Sequence, residues 1–131
     1  MFKTIITPRF GDTDALQHIN NVVPAAWFEQ ARIPFFKIFT PKLTTDYKAW
    51  KIVLVHSDYD FLDQLYFGED VEIHSYISHI GNSSFTISHK AFQGERLCVT
   101  SNAVHVHYDF VKKEKITIPN GIREQLMQHC H

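Results

Sequence analysis

Phe10-Gly11-Asp12-Thr13-Asp14-Ala15-Leu16-Gln17-His18-Ile19-Asn20-Asn21 is a polar stretch that runs straight into an apolar, aromatic segment, residues 22–39. Two carboxylates, an imidazole and two amides thus stand just ahead of a predicted helix. The first turn of a helix exposes unpaired N–H groups and the positive end of its dipole. Asparagine is a favoured N-cap, and Pro24 chooses between the two on offer. With Asn21 as cap, Pro24 is the third helical residue and its missing N–H costs nothing; with Asn20, one intrahelical bond is lost. The cap is therefore placed at Asn21. The helix then carries Ala25, Ala26, Trp27, Phe28, Ala31, Phe35, Phe36 and Phe39, with Glu29, Gln30, Arg32 and Lys37 as its polar exceptions. A helix apolar nearly all round is a buried one. Pro34 is expected to kink or interrupt it.

Around this helix the sequence reads as strands. Lys3 to Pro8 makes a short first strand, limited by Pro8. After a polar connector from Thr40 to Trp50, residues 51–61 alternate Ile52, Leu54, His56, Asp58 and Asp60 against Val53, Val55, Ser57, Tyr59 and Phe61. Phe67-Gly68-Glu69-Asp70 is a turn. Val71 to Ile80 alternates cleanly and leads into Gly81-Asn82, a two-residue hairpin signal whose members both tolerate positive φ. Ser83 to Phe92 returns, Gln93-Gly94-Glu95 turns again, and Arg96 to Phe110 is a long strand. Gly121 to Gln128 forms a short terminal helix. One strand, a buried helix and about four antiparallel strands give an α+β arrangement, one sheet wrapping one helix.

Composition narrows the function. At 131 residues and 44% hydrophobic, the chain builds one core in one domain, 1–131. A formal net charge of −1 without long runs of one sign argues against nucleic acid or an anionic membrane as partner. No apolar run reaches the length of a membrane span, and the first residues do not form a signal peptide. Cys98 and Cys130 are far apart and in no metal-type spacing, consistent with a reduced, cytoplasmic setting. Neither suggests a thiol nucleophile, and a His–Asp pair without Ser or Cys is not a triad. His105 and His107 point to one face of a strand, but zinc needs a third and usually a fourth ligand. The reading is polar residues on an exposed or interface-facing sheet surface, and no metal. Asp12 reads as a solvated, turn-forming acid. Asp14 has two readings on residue chemistry alone: a turn-forming acid, or a base or nucleophile beside an anion-stabilising helix start.

Asp12-Thr13-Asp14, then His18-x-Asn20-Asn21, then Trp27-Phe28-Glu29-x-Ala31-Arg32 resembles the hot-dog-fold acyl-CoA thioesterases of the 4-hydroxybenzoyl-CoA thioesterase-like family. Phe67-Gly68-Glu69-Asp70-Val71 and Ile80-Gly81-Asn82-Ser83-Ser84-Phe85 agree, so the resemblance runs from Arg9 to about Asp109. It implies a hot-dog fold of about five antiparallel strands round one long buried helix. It implies hydrolysis of an acyl thioester to free acid and CoA, without a cofactor. It implies a homodimer or homotetramer whose sheets join edge to edge, with the sites at the dimer interface. Carried onto this chain, Asp14 is the catalytic carboxylate, base or nucleophile, and the N–H of Asn21 or a neighbour is the oxyanion donor. His18 supports the site, while Phe10, Asn20, Trp27, Ser83 and Ser84 face substrate. The sequence departs from the family pattern at Val22-Val23-Pro24-Ala25-Ala26, where tyrosines are frequent, at Pro34, and at Gln17, where glycine is often found. Two alternatives keep the fold. One is a thioesterase acting on acyl carrier protein, met by Lys112, Lys113 and Lys115 as part of a basic rim. The other is an acyl-thioester binding protein without turnover. The hot-dog dehydratases share the fold, but their loop and helix residues find no match.

Overall fold

Alternation dictates the sheet. Val71, Ile73, Ser75 and Ile77 are buried along one face of their strand, as are Phe85, Ile87, His89 and Ala91 along the next, because successive side chains of a strand point to opposite faces. The computed structural model describes residues 1–15 and 17–131. Its strands are β1 (Phe2–Ile6), β2 (Ile52–Phe61), β3 (Val71–Ile80), β4 (Ser84–Gln93), β5 (Arg96–Asp109) and the two-residue β6 (Glu114–Lys115). The five long strands form one antiparallel sheet in the order β1-β3-β4-β5-β2, and β6 pairs with the end of β5. The sheet curls round helices α1 (Val23–Ala31) and α2 (Ile33–Phe39), and α3 (Asn120–Met127) packs by α2 and β3. This is the expected hot-dog architecture.

Pro34 interrupts the helix as expected, so the one long helix is two, and several other boundaries differ from the expectation, each for a local reason. The Arg32 N–H divides between the carbonyls of Phe28 and Glu29, both at 3.1 Å. The chain then restarts with Pro34 in the first turn of α2, where a missing N–H is harmless. At the other end Asn21 is not the cap. Helix α1 begins at Val23, behind an Asn20 turn: the Asn20 Oδ1 accepts the Val22 N–H at 3.2 Å and its carbonyl accepts the Val23 N–H at 2.9 Å. An asparagine that closes a turn on its own backbone covers the donors one residue early.

Strand β1 ends at Ile6 instead of Pro8. In β2 a register shift between Leu54 and His56 leaves Val55 as an extra residue. Ile52 and Leu54 therefore share a face with His107 and His105, whereas Ser57, Tyr59 and Phe61 take that face beyond the bulge, opposite Ala103, Ser101 and Val99. The expected even–odd division of the strand holds only up to Leu54. Gly81-Asn82 is not a two-residue hairpin either. The last pair is Ile80–Phe85, the Gly81 N–H donates to the Ser84 carbonyl at 2.7 Å, and neither Gly81 nor Asn82 takes a positive φ. The two-residue turn is Gly94-Glu95, between Gln93 and Arg96, with Gly94 at φ +61°.

The core fills the trough between helices and sheet in two clusters. Trp27, Phe28, Ala31, Leu65, Val71 and Ile73 belong to the one near the loop end, Phe35, Ile52, Ile77, Phe85 and Ile87 to the one near the other end. Phe28 and Phe35 are fully buried. Among the described residues no helix is long and apolar enough to cross a membrane.

Candidate active site

The polar stretch ahead of α1 folds into a small clasp. Residues 12–14 pair with 18–20: the Asp14 N–H donates to the His18 carbonyl at 2.9 Å and the Asn20 N–H to the Asp12 carbonyl at 2.9 Å. The clasp is pinned to the connector before β3, where the Ile19 N–H donates to the Leu65 carbonyl at 2.9 Å and His18 bridges Tyr66. Backbone pairing within the clasp and with the connector fixes the loop, and Ile19, at 4% exposure, anchors it in the core.

Its two aspartates take different parts. Asp12 is buried at 3% exposure and accepts the Arg9 N–H at 2.8 Å and an Arg9 guanidinium N–H at 3.1 Å. The expected turn is there, but the acid is not solvated: a buried carboxylate needs these donors. Asp14 is half-buried and lines a groove of about 590 Å³ with Phe10, Thr13, Gln17, His18, Tyr66 and Phe67. Phe10, 78% exposed, meets Phe67 edge-on at 5.9 Å, and His18 meets Tyr66 edge-on at 5.3 Å. A carboxylate in an aromatic-walled groove can act on a ligand whose one end is apolar and whose other end is polar. Gln17, where glycine is usual in the family resembled, holds a left-handed φ of +66°.

The structure thus brings Phe10, Asp14 and His18 together. Asn20 lies at the junction of clasp and helix. Asn21 faces the neighbouring hollow, about 290 Å³, walled by Ile19, Pro24, Phe61, Leu62 and Leu65. The Asn21 N–H makes no hydrogen bond with a described residue. Trp27 is buried in the core and lines a third hollow with Ile5, Val22 and Gln30, apart from the groove of Asp14. Ser83 and Ser84 are not near the groove in this chain. They sit by the end of β4 that pairs with Val106, the far end of a ten-residue strand, about 30 Å away at ~3.3 Å per residue. Lys112, Lys113 and Lys115 are exposed at that same far end.

A second polar group lies beneath the helix break. Arg32 is 3% exposed, and its Nε and Nη1 are buried without a hydrogen-bond partner. Below it are His89 of β4 and His105 of β5. Phe28 stacks on His89 at 4.9 Å and Phe85 on His105 at 5.2 Å. Burial, then the Arg32 charge, pushes both imidazoles down to about 3, with His105 adding to the effect on His89. Burial likewise lowers His107. His105 and His107 do share one strand face, but it is the inner face, buried at 2% and 7% exposure. The expectation of an exposed or interface-facing surface does not hold within this chain: β5 is paired on both sides and its inner face is covered by the helices. Among the described residues no three or more His, Cys, Asp or Glu side chains are placed to hold a metal ion.

Residues 8–126 match the thioesterase-like superfamily. The chain belongs to that superfamily. This thioesterase is 38% identical to the solved structure of a predicted thioesterase from Bacillus stearothermophilus, with a TM-score of 0.94 over 99% of this chain and 96% of that one. It is 26% identical over 125 residues to a 1,4-dihydroxy-2-naphthoyl-CoA hydrolase of Prochlorococcus marinus, covering 88% of this chain and 83% of the relative. A thioesterase from Thermus thermophilus, solved with coenzyme A and zinc, has the same fold: TM-score 0.80, 24% identity, 95% of each chain covered. The chain is a thioester hydrolase.

Sequence reasoning passed over two parts of this thioesterase. Tyr66 and Phe67 wall the groove of Asp14; the signal is Phe67-Gly68-Glu69-Asp70, which reads as a turn and as a family match but not as part of the site. Arg32 was read as a polar exception on a buried helix, and a charge on such a helix has to be answered by something.

Proposed function

We propose that this thioesterase hydrolyses an acyl-CoA, with Asp14 activating the attack and the N–H at Asn21 receiving the oxyanion. The observation that carries it is the half-buried Asp14 in a groove walled by Phe10, His18, Tyr66 and Phe67. As base, the Asp14 carboxylate takes a proton from water while the water oxygen bonds to the thioester carbon. The carbonyl oxygen gains negative charge, which an uncommitted N–H beside the helix start stabilises. The C–S bond then breaks, the thiolate leaves as CoA and takes up a proton, and the acid departs. As nucleophile, Asp14 forms a mixed anhydride that water opens. The coenzyme A held by the Thermus thermophilus thioesterase and the CoA thioester of the Prochlorococcus marinus hydrolase support CoA as carrier.

The site is completed by a second copy. Strand β2 is an edge strand, and Leu54, Val55, Phe61 and the following Leu62 are exposed on it. Such an edge seeks a partner. Antiparallel pairing of two β2 edges reverses the partner, so its hairpin end, with Ser83 and Ser84 of the partner subunit, lies beside the groove of Asp14. That would unite the site residues that one chain holds apart.

The test is thiol release from a panel of aliphatic and aromatic acyl-CoAs, wild type beside Asp14→Asn. The variant should lose ~10²–10⁴ in kcat/KM with an unchanged melting temperature. Full turnover by Asp14→Asn would overturn the assignment. Under single turnover in ¹⁸O-water, label in Asp14 marks the anhydride route; label in the product acid alone is common to the base route and to an anhydride opened at its acyl carbon.

A further inference from the structure

Arg32 is the one guanidinium among the described residues buried beneath a helix, and no carboxylate among them stands within ion-pair distance of it. The acidic groups acting on it, Tyr59 and Glu29, do so only through space. A buried cation left without a counter-charge is costly. It is not sealed in, however. Arg32 lines a hollow of about 330 Å³ with Glu29, Gln30, Phe36, Trp50, Leu54 and His105. Apart from the exposed Glu29 and Gln30, the walls are mostly apolar and aromatic. The polar atoms gathered there are Arg32 Nε and Nη1 and His105 Nδ1, all buried and unpartnered. His105 and His89 stay neutral around the guanidinium, so the positive charge is not shared out.

The hollow opens at the Ile52–Leu54 end of the β2 edge. In the antiparallel dimer that end lies against the Phe61 end of the partner, where the partner's helix start is. A hollow at Arg32 and an oxyanion site across the interface would then be the two ends of one acyl channel.

We infer that this hollow is the distal acyl subsite, and that Arg32 reads a carboxylate at the far end of the acyl group: the substrate is an ω-carboxyacyl thioester, one acid of a diacid carried on CoA. The apolar walls take the methylenes and the guanidinium takes the terminal carboxylate in a forked pair. A neutral hydroxyl would leave the buried charge uncompensated, which is why an anion is chosen over an alcohol or phenol. The inference rests on the hydrolase reading above and names its substrate class.

The experiment compares kcat/KM for an ω-carboxyacyl-CoA, the plain acyl-CoA of equal length and a hydroxybenzoyl-CoA, in wild type and Arg32→Met. Methionine keeps the stem and removes the charge, a replacement that buried cations often survive. Wild type should prefer the carboxylated substrate by about ten- to hundredfold, the range of one charge-assisted contact, and Arg32→Met should bring that ratio near one. Arg32→Lys, which keeps the charge but not the fork, should hold an intermediate ratio. Thioether analogues of the same acyl groups, which cannot be hydrolysed, read the preference as Kd. The subsite is therefore tested even where no thioester turns over, the outcome that removes the hydrolase reading alone. A wild-type ratio near one in both assays overturns the inference. So does a preference that Arg32→Met leaves intact. If Arg32→Met loosens the dimer tenfold or more with selectivity unchanged, the counter-charge belongs to a second copy and the subsite is refuted.

Discussion

Asp12 and Asp14 in the clasp, and Arg32, His89 and His105 beneath the helix break, are both polar constellations set in apolar surroundings, and they are built from opposite materials. The clasp draws its partners from close by in sequence: Arg9 answers Asp12, and residues 18–20 answer 12–14. The layer under Arg32 joins that residue, at the junction of α1 and α2, to His89 of β4 and His105 of β5, both more than fifty residues further along the chain, and leaves several of their polar atoms unpartnered. Local partners make a loop that can be rigid and still face solvent. Distant partners make a charged layer whose existence depends on the whole fold. In the first, acid is held ready at a groove; in the second, base is held dry at a hollow.

The contrast can be broken most forcefully from the buried side. Phe28 lies on His89 and Tyr59 and is fully buried. Phe28→Ala should cost ~3–5 kcal/mol in urea unfolding; a cost near that of a surface change would mean the layer is loosely packed.

Acid should find the same weakness without mutation. His89 and His105 titrate near 3 in the fold against 6.5 in the open chain. Above pH 6.5 neither state holds these protons and the histidines are silent. Below it the unfolded chain takes them up and the folded one does not, so stability falls with pH until about pH 3. Two such groups give a slope of up to about 2.7 kcal/mol per pH unit. Urea midpoints from pH 7 to 5 should show it, and His89→Gln should roughly halve it. A flat profile would mean that water reaches the imidazoles.

On the clasp side the effects are smaller. Asp12→Ala takes the acceptor from the Arg9 backbone N–H, while water can replace it at the exposed guanidinium, and should cost ~1 kcal/mol, with kcat/KM falling alongside as the groove loosens. Unchanged stability would show that the clasp rests on its backbone bonds alone. Gln17→Gly works in reverse: relief of a left-handed residue should stabilise by ~1 kcal/mol, read as a rise in melting temperature.

Much of the fold was legible because its signals are short in range. Strand alternation marked β3, β4 and β5, Pro34 marked the helix break, and the polar loop before an aromatic helix marked the site. What misled was equally local. The Asn20 turn moved the cap of α1 by one residue, from Asn21 to Val22, and the Val55 bulge exchanged the faces of β2. A bulge depends on the partner strand, which β2 meets only at residues 99–107. The candidate site divided in the same way. Phe10, Asp14 and His18 converge because twelve residues close on themselves, while Ser83 and Ser84 are held about 30 Å off by the length of the strands.

By itself, then, the sequence determined the element order, the interrupted helix and the carboxylate poised before it, since backbone propensity, proline and alternation act over a few residues. Only the tertiary structure decided that Asp12 is buried and Asp14 faces the groove, that His105 and His107 face inward, and that Arg32 lies uncompensated above them. Burial and electrostatics are sums over neighbours, and these neighbours are brought together by the curl of the sheet round the helices.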